Sequence, residues 1–101
     1  MQSLSIDLPP ADVLDSLCRR YGIKELAVFG SVVRGESRSD SDIDVLVEFQ
    51  PGVRNGLFAF VRLQQELEAI LGRNVDLVPK DGLKPIIREH VISTSRVIYA
   101  A

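Results

Sequence analysis

The sequence predicts an α/β domain of the α+β type, a small mixed β-sheet with its helices packed mainly on one face. Three patterns lead there. Val13, Leu14, Leu17, Cys18 and Tyr21 recur at helical spacing, and a second helical stripe runs through residues 56–71. Residues 25–29, 42–47, 75–78 and 96–99 are short apolar runs of strand length set between those helices. At 101 residues, with 46% hydrophobic and 26% charged, the chain suits one domain over residues 1–101 with a single core.

The first helix is framed by Pro9 and Pro10, which suit its first turn, and by Gly22 at its C′ position; Met1 and the residues Gln2 to Ile6 form a lead-in. Cys18 is the only cysteine, so no internal disulfide can form, and its place on the apolar stripe reads as packing. Residues 34–40 mix Arg34 and Arg38 with Glu36 and Asp40, the last expected as a turn residue or a helper of the site. Pro51 and Gly52 end a strand, Asn55 is the expected N-cap of the next helix, and Gly72 its C′ residue. Leu57, Phe60, Val61, Leu67, Ile70 and Leu71 are expected on its core face. Phe58, Ala59 and Leu63 widen that stripe, either as extra core or as a partner surface. Lys80-Asp81-Gly82 is turn chemistry, Pro85 opens a last helix, and His90 is expected as a solvated residue on it.

Charge excludes several function classes. A formal net charge of −2 and a pI near 5.3 argue against a nucleic-acid groove, so no direct nucleic-acid partner is expected. No apolar run is long enough for a membrane span, and no cationic start precedes a long apolar segment. A cytoplasmic protein is the expectation.

The chemistry gathers around Gly30-Ser31, which ten residues separate from Asp42-Ile43-Asp44 at the head of an alternating strand. In a strand, residues i and i+2 share a face about 6.5 Å apart, so Asp42 and Asp44 would present two carboxylates together. Such a pair suits one or two Mg²⁺ ions, which take oxygen ligands and keep open positions for phosphates. Gly30 would let a phosphate approach the backbone, and Ser31 would begin a short helix whose hydroxyl and N–H groups can donate to it. Each half alone is ordinary, a solvated strand end and a turn; the order and spacing together are not. Gly30 and Gly35 have the four-residue gap of a Walker A loop, but Glu36 stands where that motif needs Lys, which excludes it.

Three further residues bear on the site. Arg34, three residues beyond Ser31, is either a solvated arginine or a phosphate contact. Glu48 shares the parity of Asp42 and Asp44 and is expected to face solvent. Asp76 sits inside an apolar strand, where a carboxylate must be paired, ligated or at an exposed edge. A sheet in which that strand lies beside the Asp-x-Asp strand would bring it alongside Asp42 and Asp44.

These motifs carry a resemblance. Gly30-Ser31, ten residues and Asp42-x-Asp44 resemble the signature of the DNA polymerase beta-like nucleotidyltransferase superfamily. With Arg34-Gly35, Ser41-Asp42-Ile43-Asp44 and the segment from Gly72 to Val78, the chain is similar to the minimal nucleotidyltransferases, antitoxin partners of HEPN-domain toxins. The resemblance implies a minimal nucleotidyltransferase core that moves AMP from ATP to a hydroxyl. It implies two Mg²⁺ ions on Asp42, Asp44 and Asp76, and nucleotide held by Gly30, Ser31 and Arg34. It also implies an acceptor tyrosine on a HEPN toxin, within a toxin–antitoxin pair. Little chain follows the third carboxylate, which likewise favours a protein acceptor over a dedicated acceptor domain. Two other classes stay open: an antitoxin that neutralises by binding alone, and a nucleotidyltransferase subunit that modifies a small molecule.

Overall fold

The computed structural model describes residues 8–35 and 42–101. Helix α1 (Ala11–Tyr21) leads into strand β1 (Ile23–Phe29), the short helix α2 (Ser31–Arg34) and strand β2 (Ile43–Phe49). Helix α3 (Leu57–Leu71), strand β3 (Val75–Pro79), a 3-10 turn (Lys80–Gly82), helix α4 (Pro85–Thr94) and strand β4 (Arg96–Ala100) complete the order. The sheet runs β3-β2-β1-β4. β1 is antiparallel to both β2 and β4, whereas β2 and β3 are parallel. The expected mixed sheet is therefore present, and its parallel pair is joined by a crossover through α3, the connection such a pair requires.

One face of the sheet makes the core. Ile23, Leu26, Val28, Ile43, Val45, Val47, Val75 and Leu77 meet Leu14, Leu17, Cys18 and Tyr21 of α1 and Leu63, Leu67 and Leu71 of α3. Burial pushes the Cys18 thiol up to about 12, as a packed sulfur would show. Gly22 ends α1 in the left-handed region at φ 67°, and Gly72 does the same for α3 at φ 70°. Pro85 opens α4, and His90 is exposed on it.

Several expectations are corrected. Both prolines precede α1: Pro10 is its N-cap, and the Pro10 carbonyl accepts from the Val13 and Leu14 N–H groups at 3.1 and 3.2 Å. Val13 is exposed, leaving the stripe to Leu14, Leu17, Cys18 and Tyr21. Gly56, not Asn55, caps α3, because the Asn55 amide donates to the Tyr21 carbonyl at 3.0 Å and ties the end of α1 to the start of α3. The core face of α3 is set by Leu63, Leu67 and Leu71 at four-residue spacing. Leu57 and Val61 lie off that stripe, at 76% and 43% exposure, and Phe58 is 86% exposed. Asp42 stands one residue before β2 rather than inside it. Asp40 and the residues Gln2 to Ile6 lie outside the described residues.

Candidate active site

The site grows from the pleat of β2. Ile43, Val45 and Val47 turn into the core, which leaves Asp44, Leu46 and Glu48 on the opposite face. On that face Asp44 has two neighbours. Its register partner on β1 is Phe29, the residue before Gly30, and its register partner on β3 is Asp76. Side chains of directly paired residues project from the same face, so the parallel register places the Asp76 carboxylate beside that of Asp44. Asp42, exposed, lies just before the strand.

Gly30 shows why the turn after β1 has no side chain. Its φ of 73° and ψ of −142° are open to glycine, and a Cβ there would collide with the Asp44 carboxylate. The Gly30 carbonyl accepts from the Val33 and Arg34 N–H groups at 3.1 and 3.2 Å, which closes α2 directly over this turn. Ser31, half-buried, is the first residue of α2, and Arg34 is its last. Gly30, Ser31, Asp44 and Asp76 are thus gathered where the ends of β1, β2 and β3 adjoin.

The electrostatics of Asp44 report the same crowding. Burial is the main reason its pKa is raised, and the charges of Asp76 and Asp42 raise it further, while Arg34 works in the opposite direction. An anion whose ionisation is opposed by its neighbours suits a counter-cation. Among the described residues, no three His, Cys, Asp or Glu side chains converge closely enough to enclose an ion. The donor set nevertheless fits Mg²⁺ by its chemistry, since that ion takes one or two carboxylates and fills its remaining positions with water and phosphate oxygens. Asp44 and Asp76 are the residues placed to supply them, with Asp42 next to hand.

Glu48 departs from expectation. It is half-buried between Lys80 Nζ at 3.1 Å and Lys24 Nζ at 3.8 Å, away from the Asp44 end of β2. Its parity with the aspartates is real, but its charge is already matched.

A nucleotidyltransferase domain model matches residues 11–98, nearly the whole chain. The chain belongs to the nucleotidyltransferase domain family. It is 47% identical over 76 residues to the protein adenylyltransferase MntA of Thermococcus cleftensis, an alignment that covers 75% of each protein. A solved structure assigned to the minimal nucleotidyltransferases is 44% identical, with a TM-score of 0.69 over 87% of this chain and 86% of the other. A tri-AMPylated HEPN toxin of Shewanella oneidensis in complex with an MNT antitoxin gives a TM-score of 0.62, covering 89% of this chain and 69% of the other. At 21% identity, that last likeness speaks for the fold. A nucleotidyltransferase is an enzyme of phosphoryl chemistry, and the turn after β1 with the carboxylates of β2 and β3 is the candidate place for it in this chain.

Proposed function

We propose that this nucleotidyltransferase is a protein adenylyltransferase that moves AMP from ATP to a tyrosine hydroxyl of a HEPN-type toxin, and so acts as the antitoxin. One observation carries the reading: Asp44 stands between the Gly30-Ser31 turn on one side and Asp76 on the other. The choice of a protein acceptor is supported by a relative named a protein adenylyltransferase and by a solved complex of an MNT antitoxin with an AMPylated HEPN toxin.

Gly30 leaves room for the β and γ phosphates to approach the backbone, and Ser31 donates its hydroxyl to them. Arg34, whose charge already reaches Asp44, is placed to meet phosphate oxygens at the same spot. Asp42, Asp44 and Asp76 would hold two Mg²⁺ ions. When bound, these ions lower the pKa of the attacking hydroxyl and neutralise charge on the departing pyrophosphate. The acceptor oxygen forms a bond to the α-phosphorus as the bond to the bridging oxygen of pyrophosphate breaks in line. Asp76, on the edge strand β3, would help take the proton of the acceptor hydroxyl. Most of the acceleration comes from positioning and charge.

The test uses substitutions that keep size and remove the anion. With labelled ATP, Mg²⁺ and the purified HEPN partner, the wild type is expected to label a partner tyrosine, while Asp42→Asn, Asp44→Asn and Asp76→Asn do not. In cells these variants should still co-purify with the partner yet fail to relieve its toxicity. Variants that protect as well as wild type would mean neutralisation by occlusion.

A further inference from the structure

Asp76 is useful only if β3 is held in the right place, yet among the described residues β3 is an edge strand, paired with β2 on one side. The Ile43 N–H donates to the Asn74 carbonyl at 2.8 Å, which starts the parallel ladder with β2. In that ladder Val75 is the register partner of Ile43, and the backbone groups of Val75 turn away from β2, towards the open edge. An unpaired backbone N–H there would be lost to water or leave the strand end loose. Glu68 meets it. The Glu68 carboxylate, half-buried on α3, accepts the Val75 N–H at 2.9 Å.

The same residue acts at the other end of the connection. The Glu68 carbonyl accepts the Gly72 N–H at 2.8 Å, closing α3 where Gly72 turns into the left-handed region. Glu68 therefore grips both ends of the turn between α3 and β3, by its backbone at residue 72 and by its side chain at residue 75. The next residue is Asp76. α3 is in turn fixed to the core through Leu63, Leu67 and Leu71, with Leu67 immediately before Glu68.

We infer that Glu68 is a positioning residue for the reaction: its carboxylate, through the Val75 N–H, sets where Asp76 stands relative to Asp44. The inference rests on the adenylyl-transfer reading of the site. Its chemistry is reach rather than charge, because the contact is a single acceptor oxygen against a neutral backbone donor. Glu68→Gln keeps an acceptor at the same length, Glu68→Asp keeps the charge but falls one methylene short, and Glu68→Ala removes both.

Two measurements test it together. One is the rise in melting temperature produced by Mg²⁺ with a non-hydrolysable ATP analogue; the other is the rate of AMP transfer to the partner, split into kcat and KM for ATP. Glu68→Gln is expected to match wild type in both. Glu68→Asp is expected to lose most of the Mg²⁺-dependent rise and about tenfold or more in kcat, the usual cost of removing a group that orients a metal-site ligand, with KM for ATP little changed. Glu68→Ala should behave like Glu68→Asp; should it fail to fold, the Gln and Asp variants still decide. A merely structural role would lower the starting melting temperature and leave the Mg²⁺-dependent rise and kcat intact. Asp equal to wild type, or Gln failing where Asp works, overturns the inference while leaving the site reading in place. A wild type with neither the rise nor the transfer overturns the site reading, and this inference with it.

Discussion

Asp44 is an anion held against its own preference. Burial and the charges of Asp76 and Asp42 raise its pKa above the ordinary 3.8, Arg34 notwithstanding. Because the folded protein holds this proton more tightly than the unfolded chain does, stability is lost as pH rises from below 3.8 through the raised folded value. Without metal at neutral pH, Asp44→Asn should therefore melt at a higher temperature than wild type, and the advantage should shrink as the pH falls below the ordinary carboxylate value. Adding Mg²⁺ with a non-hydrolysable ATP analogue should raise the wild-type midpoint and leave the Asn variant nearly unmoved. Thermal melts across that pH range decide it; an Asn variant less stable than wild type at neutral pH would mean that the repulsion is absent. The neighbouring turn gives a second residue-scale expectation. Ser31→Ala should weaken ATP by about 1 to 2 kcal/mol, the worth of one hydrogen bond to a charged group, with the fold unchanged. Gly30→Val should do more damage, since it combines an unsuitable positive φ with a collision against Asp44. Titration of a fluorescent ATP analogue reads both, and ordinary affinity in both variants would place the nucleotide elsewhere. These residues were legible in the sequence because their signal is local: small residues after a strand, then two carboxylates at the head of the next.

At the scale of elements, α3 was the hardest to read. Its first five residues, Leu57 to Val61, are all apolar, so periodicity there could not say which of them the sheet would take. The sheet took Leu63, Leu67 and Leu71, and left Leu57 and Phe58 outside. Leu67→Ala should cost about 2 to 5 kcal/mol, as for other fully buried leucines, whereas Phe58→Ser should change stability by no more than about 0.5 kcal/mol. Urea unfolding of the two variants measures this, and a comparable loss for Phe58→Ser would show that its ring is covered. The cap of α3 was misread for a related reason: Asn55 has the right chemistry one residue too early, and its amide is engaged by the end of α1. The ends marked by Gly22, Gly72 and Pro85 fall where expected, because the backbone conformation of those residues scarcely depends on what packs against them, whereas Pro9 and Pro10 precede α1 instead of forming its first turn.

For the molecule as a whole, the decisive fact is the strand order, and little of it could be read from pattern. The alternation in residues 42–47 shows which side chains share a face, but not that β3 pairs in parallel with β2 so that Asp76 falls opposite Asp44. That register depends on a crossover through α3 and on the turn that delivers Val75, both of them tertiary matters. For this reason the residues alone left Asp76 open between an exposed edge and the site, and the family resemblance tipped it towards the site, whereas Gly30, Ser31 and the Asp-x-Asp pair could be argued from spacing.

The order β3-β2-β1-β4 also has a kinetic consequence. β1 and β2 are neighbours in sequence and in the sheet, so the turn at Gly30 and the first aspartates can assemble with modest loop closure. β3 must wait for the α3 crossover, and β4 pairs with β1 from the far end of the chain. Such long-range pairings are the slow part of folding. Chevron analysis should therefore find that Val45→Ala chiefly slows folding, with Leu77→Ala chiefly speeding unfolding. The reverse assignment would mean that the parallel pair nucleates the sheet. On the expected order Asp76 comes to stand beside Asp44 only after the main barrier has been crossed, so a nascent chain holds the Gly30 turn and Asp44 without that neighbour until the fold is complete.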